Sequence, residues 1–374
     1  TYVAKQFQPG SYAKINFNNG GKMIKHQYYN NVCAENVSCM QDKNKYLLSI
    51  RDNLIAAVKK RINNTDREIA CLLSGGLDSS LITALVAKFH GAENLHTWSI
   101  GMEGSEDLRY AKKVADYIGT NHHSIELSTV EFIDAIESVI QAIESYDTTT
   151  VRASVGNWLI SKYIKENSNA KVIFNGDGSD EVTGGYMYFH YAPNALEFDN
   201  ECKRLLKDIH YFDVLRSDRS ISSHGLEANT PFLDKNFVQS YLSIPAQYRF
   251  QIMKETKIEK YLLRKAFDNE NILPKDVLWR RKEAFSDGVS AQKESWFKVI
   301  QNYAKEKYKD MNLDGPCCEK YLYREIFNKY YPNCKETIPY MWMPKFVNAL
   351  DASARTLDIY KSNHAEENVK LGGC

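Results

Sequence analysis

The sequence predicts an α/β fold: a parallel sheet flanked by helices, followed by a largely helical C-terminal part. Three observations predict it. Short apolar segments alternate with amphipathic ones between Leu47 and Phe174. Strands joined through helices need crossovers, which make neighbouring strands parallel and leave helices on the faces. A glycine-rich turn, Leu72-Leu73-Ser74-Gly75-Gly76-Leu77-Asp78-Ser79-Ser80, joins one such strand to one such helix. Beyond Ala192 the texture is mostly helical, interrupted at Pro231, Pro245 and Pro274, where a ring in place of an N–H breaks the helical ladder.

Taken in order, Phe7 to Tyr29 carry Pro9-Gly10 and Asn19-Gly20-Gly21 around alternating residues such as Tyr12 to Phe17. This predicts a β-hairpin too small to hold a core by itself. Residues 1–31 form this first unit, residues 32–42 a linker, residues 43–362 the main domain and residues 363–374 a polar, flexible tail. Leu47, Ile50, Leu54, Val58 and Ile62 recur at helical steps. Ile69 to Leu73 read as a strand, Ser79 to Phe89 as a helix, Leu95 to Ile100 as a strand and Glu106 to Ile118 as a helix. A strand over Ser124 to Leu127, helices over Thr129 to Glu144 and Ala153 to Lys165, and a buried strand over Val172 to Phe174 complete the series. Gly315 to Pro344, rich in Tyr, Pro and Cys, read as less regular.

Composition narrows the function. The chain has 374 residues, with 48 Lys and Arg against 47 Asp and Glu. That balance argues against nucleic acid or an anionic membrane surface as a general partner. No apolar run approaches the ~20 residues that span a bilayer. Eight cysteines include no Cys-x-x-Cys pair, which points to reduced thiols in a cytoplasmic protein rather than a zinc site.

The chemistry concentrates in two loops. In the first, Gly75 and Gly76 let backbone approach an anion, and the free N–H groups of the following helix point at it. Ser74, Ser79 and Ser80 add hydroxyls. Asp78 is misplaced beside a phosphate unless a cation such as Mg²⁺ intervenes. The Gly-Lys-Ser/Thr ending of a Walker loop is missing. The plainer reading is a capped strand–helix turn. The second loop, Asn175-Gly176-Asp177-Gly178-Ser179-Asp180-Glu181, follows the strand Val172 to Phe174. Its acids repel one another unless a cation or donors hold them, and loops at the carboxyl ends of parallel strands share one crevice. Asp78 and Asp180 are thereby predicted to share a metal. The plainer reading here is an acidic surface turn.

Ser74 to Ser79 resemble the pyrophosphate loop, Ser-Gly-Gly-x-Asp-Ser, of the N-type ATP pyrophosphatases (the PP-loop, or adenine nucleotide α-hydrolase-like, fold). Further blocks resemble the synthetase part of glutamine-hydrolysing asparagine synthetases. These are Thr97 to Gly101, Tyr146 to Ser154, Gly176 to Glu181, Gly225 to Glu227 with Pro231 to Asp234, Trp279 to Gly288, and Asp351 to Leu357. The resemblance runs from about Lys43 to Ser362. It implies adenylation of the aspartate side-chain carboxylate by ATP, then attack by ammonia. It implies that Ser74, Gly75, Gly76, Asp78 and Ser79 hold pyrophosphate and Mg²⁺, with Asp180 joining the metal. Leu72, Ile100, Asn175 and Gly176 would contact AMP, Thr149 and Arg152 aspartate, Lys282 the phosphates, and Asp177 the incoming ammonia. A lysine and Mg²⁺ suit charge that builds between two anions. The plainer reading of Lys282 is a surface lysine in the basic run Arg280-Arg281-Lys282.

The sequence departs from that family at Asp177 (for glutamate), Asn175 (for a small residue), Asn157 (for methionine) and Asn229-Thr230 (for Arg-Val), which puts the nitrogen-donor step in question. The family's N-terminal glutaminase domain has no counterpart beyond the hairpin. A longer parent chain that hydrolyses glutamine is therefore expected, with free ammonia the donor for the present one. A homodimer is left open. Competing readings are a β-lactam synthetase-like amide former, which should lack the Thr149–Arg152 segment, a sulfur-transfer tRNA enzyme, and a non-catalytic ATP-binding relative.

Overall fold

The computed structural model describes residues 7, 9–28, 43–281, 285–290, 295–311, 313–334 and 336–361. The predicted linker 32–42, the tail 363–374 and Lys282 lie outside the described residues. Strands β1 (Ser11–Asn16) and β2 (Lys22–Tyr28) pair antiparallel, with a register shift between Lys14 and Ile15.

The main domain opens with α1 (Lys43–Ile62), β3 (Ile69–Leu72), α2 (Leu77–His90), β4 (His96–Met102), α3 (Glu106–Ile118), β5 (Asn121–Leu127), α4 (Thr129–Ile143), α5 (Thr148–Asn167) and β6 (Val172–Phe174). Then follow α6 (Ser179–Thr183), α7 (Ala195–Asp208), α8 (Asp213–Ser222), β7 (Glu227–Asn229), α9 (Lys235–Leu242), α10 (Ala246–Thr256), α11 (Tyr261–Phe267), α12 (Lys275–Leu278), α13 (Phe285–Gly288), α14 (Trp296–Lys307) and α15 (Gly315–Tyr330). The five strands of the main sheet run in the order β5-β4-β3-β6-β7, all parallel.

The sheet divides two cores because side chains alternate across a strand. Ile69, Cys71, Val172 and Phe174 enter the core shared with α1 to α3, α7 and α9 to α12. Ala70 and Ile173 enter the core shared with α4, α5, α14 and α15. Among the described residues, neither core takes a residue from β1 or β2, and Phe17, Met23 and Ile24 of the hairpin are exposed. No helix among the described residues is long and apolar enough to cross a membrane. Cys71, Cys202, Cys317, Cys318 and Cys334 are free thiols.

Helix starts follow their caps. Ser105 caps α3, and Ser128 with Glu131 forms a reciprocal capping box at α4. Three local expectations need correction. Helix α5 begins at Thr148 rather than Ala153, because Asp147 accepts from the Thr150 N–H (2.9 Å) and hydroxyl (2.8 Å). Strand β7 was not predicted; it is three residues long and carries no periodicity of its own. The segment read as irregular from Gly315 contains the 16-residue α15. Asp314 accepts from the Cys317 N–H at 2.7 Å, Pro316 sits in the first turn where it needs no partner, and Leu322, Tyr323 and Phe327 are buried.

Candidate active site

The carboxyl ends of β3, β4 and β6 open into one cleft, where a parallel sheet places its crevice. Leu72, Ser74, Gly76, Asp78, Ser79, Ile100, Thr149, Asn175, Gly176, Asp177 and Asp180 all line it. Gly75 lies behind the loop with φ +73°, and a Cβ there would meet the Ala111 nitrogen at 2.4 Å. Its carbonyl accepts from Arg280 at 3.1 Å, and the Arg280 guanidinium sits over the Tyr110 ring at 3.9 Å. The loop is thus pressed onto α3 from two sides.

At the start of α2 no side chain caps the helix, since Gly76 is the capping residue. The first N–H groups remain available to an anion. Ser74 and Ser79 hydroxyls lie 2.9 Å apart, and Ser79 Oγ also accepts from the Ser74 N–H at 3.2 Å. The two predicted loops touch: a Cβ on Gly176 would stand 2.7 Å from the Ser79 nitrogen. Only glycine lets the second loop approach so closely.

Asp78 and Asp180 converge on one cation, though it comes from a residue that sequence reasoning missed. Lys260 Nζ lies 2.5 Å from Asp78 Oδ2 and 2.8 Å from Asp180 Oδ1, and Ser179 Oγ donates to Asp78 Oδ1 at 2.8 Å. Lys260 is buried and caps α11 with φ +57°, a left-handed conformation that costs a non-glycine residue about 1 kcal/mol. Two carboxylates from two loops thus share one ammonium, and among the described residues no group of three or more His, Cys, Asp or Glu could hold a metal ion, so a divalent cation there would take further oxygens from a ligand.

Asp177 is held by Arg216 at 3.0 Å, and Arg216 also reaches Asp213 at 3.1 Å. The Tyr186 hydroxyl donates to Asp213 at 2.7 Å and lies 2.5 Å from Glu181. Burial first, and then Asp213, push Glu181 well above the usual carboxylate range. Burial works against Asp213 as well, yet Arg216 and its hydrogen bonds hold it below that range. Asn175 donates to Ser217 Oγ at 2.7 Å.

The structure places Arg152 elsewhere than predicted. It is buried, and its guanidinium makes four short bonds: Nε to Glu319 Oε1 (2.7 Å), Nη2 to Glu319 Oε2 (2.6 Å), Nη1 to Asp351 Oδ1 (2.7 Å) and Nη2 to Asp351 Oδ2 (2.7 Å). Gln301 and Tyr323 close the outer side. Two carboxylates take four of the five N–H donors, so a third carboxylate from a substrate finds no two-pronged site on this fork. On the cleft-facing side of α5, Thr149 Oγ1 and Asn157 Nδ2 are instead buried with no partner among the described residues.

The family described as Asparagine synthase matches residues 49–205 and 192–350. The asparagine synthetase (glutamine-hydrolyzing) of Gallus gallus is 44% identical over 382 residues, covering 95% of this chain and 67% of the relative. That of Homo sapiens is 48% identical over 320 residues, covering 82% of this chain and 56% of the relative. A solved NMN synthetase from Francisella tularensis aligns over 81% of this chain and 99% of its own at 12% identity, with a TM-score of 0.37, a likeness too slight to inform the site. The matches extend across both cores and both loops of the cleft, and the chain belongs to the asparagine synthase family.

Proposed function

We propose that this chain converts aspartate to asparagine with ATP. The aspartate side-chain carboxylate attacks the α-phosphorus and pyrophosphate leaves. Ammonia then attacks the acyl carbon, gives up a proton and expels AMP. The observation that supports this best is the convergence of Asp78 and Asp180, from two loops, on one ammonium 2.5 and 2.8 Å away, with Asp78 in the first turn of a helix whose start no side chain caps.

Each group has a task that follows from its setting. The N–H groups of α2 and the Ser74 and Ser79 hydroxyls hold the leaving pyrophosphate. Asp78 and Asp180 would hold Mg²⁺, which supplies Lewis-acid stabilisation of the phosphate charge. Lys260 offsets negative charge as the carboxylate nears the nucleotide, and the family resemblance of Trp279 to Gly288 assigns Lys282 the same task. Leu72, Ile100, Asn175 and Gly176 contact the AMP portion, and Thr149 the aspartyl portion. Asp177, oriented by Arg216, takes the proton from the attacking nitrogen. Arg152 keeps the walls of the site in place and does not touch substrate. Nitrogen would reach the site as ammonia, released from glutamine by a glutaminase part outside this chain.

Aspartate-dependent exchange of labelled pyrophosphate into ATP tests the first half. Asparagine formed in step with AMP, with ammonium as donor, tests the second. Exchange without asparagine keeps the adenylation and rejects ammonia as acceptor. A folded chain that binds ATP and does neither ends the proposal.

A further inference from the structure

We propose that Asn157 reads the base of the nucleotide: its side-chain amide donates a hydrogen bond to a ring nitrogen of adenine in a slot between the sheet and α5. This rests on the reading above that ATP binds in the cleft.

Asn157 is 4% exposed, lines the cleft, and its Nδ2 has no partner among the described residues. A buried amide left unpaired is costly, so a ligand atom that accepts a hydrogen bond is the expected complement. Position narrows which atom. Thr149, Ala153, Asn157 and Ile160 line the cleft from one face of α5. Asn157 lies eight residues, about 12 Å along the axis, from Thr149 near the start of the helix. Leu72 at the end of β3, Ser99 and Ile100 in β4, and Ala153 and Ile160 on α5 itself line the same cleft. Ala153 and Ile160 are buried, as is Ile100.

Charge is partitioned across the cleft. Of the ionised groups lining the cleft, Asp78, Asp180 and Lys260 form one cluster and Asp177, Arg216 and Asp213 another, and none of the cleft-lining ionised groups lies on α5. A carboxylate or ammonium in the apolar slot would lose its hydration and gain only one neutral donor. Triphosphate and amino acid therefore belong at the loops. The uncharged, planar part of the nucleotide belongs in the slot. An amide also suits adenine, because it offers a donor and an acceptor side by side.

The test is equilibrium binding to the whole chain by calorimetry, using ATP and deaza analogues that each lack one ring nitrogen, with Asn157→Leu beside the wild type. ATP should bind the variant about tenfold more weakly. One analogue should bind the wild type weakly by a similar factor, and the variant should no longer distinguish it from ATP. Aspartate affinity should be unchanged. Equal ATP affinity in both proteins would mean that Asn157 holds only water. A change confined to aspartate would assign it to the amino acid. Either result overturns the proposal. If the variant fails to fold, the wild type still decides it: no discrimination among the analogues overturns it. Wild type that binds ATP normally but makes no asparagine defeats the proposed reaction alone. Wild type that does not bind ATP defeats both.

Discussion

Among the described residues, two buried arginines each hold two carboxylates, and only one of them faces the cleft. Arg152 is enclosed by Glu319 and Asp351, with side-chain exposures of 3%, 0% and 8%. Arg216 holds Asp177 and Asp213, which are 19% and 24% exposed and line the cleft with it. The first arrangement has four of its five donors matched by carboxylates and joins α5, α15 and the segment around Asp351. The second leaves its carboxylates within reach of a ligand. Ion-pair chemistry alone does not mark a functional arginine; what matters is whether its partners still face open space.

The largest expected effect breaks the open arrangement. Asp177→Asn keeps the shape and removes the proton acceptor. Asparagine formation should fall by roughly 10²- to 10⁴-fold, with aspartate-dependent pyrophosphate exchange nearly intact and unfolding in urea little changed. Equal loss of both reactions would remove Asp177 from the nitrogen step. The next effect breaks the closed arrangement. Arg152→Met leaves two buried acids unpaired and should cost about 3–5 kcal/mol of stability, with the aspartate KM of the remaining folded protein unchanged. Replacing Arg152, Glu319 and Asp351 together by apolar residues should recover most of that loss, because nothing charged is then left buried. A raised aspartate KM at wild-type stability would return Arg152 to the substrate.

This contrast also shows what could be read from sequence. The glycine-rich loop was legible because it lies in contiguous backbone: strand, two glycines, helix start. The second acidic loop was legible for the same reason, and so was the parallel direction of the strands. The fate of Arg152 was not, since Glu319 and Asp351 lie 167 and 199 residues away. Lys260 was missed because its partner Asp78 is 182 residues distant. One local signal was present. Lys260 precedes the apolar-periodic run Tyr261–Phe267, and a cation at a helix N-terminus opposes the dipole. Such a residue needs an acid nearby, and two are there. Helix α15 was obscured by its tyrosines and cysteines, although Asp314 followed by Pro316 is a start signal.

The smallest effect sharpens the comparison through pH. Burial is the largest influence on both Asp351 and Glu181, and it raises both. In Asp351 the Arg152 bonds outweigh it, so the group titrates below its ordinary 3.8. Its stabilisation is therefore present above that value and lost as pH falls. In Glu181, burial and the neighbouring Asp213 act together, so the folded state binds the proton more tightly than the unfolded state with its ordinary 4.5. Its stabilisation is present below that value and lost as pH rises. Asp213, held below its ordinary range, works the other way. It is common to wild type and Glu181→Gln and largely cancels in their difference, which isolates Glu181. Unfolding free energies of the two proteins, measured from about pH 4 to pH 8, should diverge as pH rises, with the glutamine variant gaining relative stability because it has no proton to lose. Parallel curves would show that Glu181 ionises in the folded protein as readily as in the unfolded one, and the contrast between a closed cluster weakened by acid and an open one weakened by base would not hold.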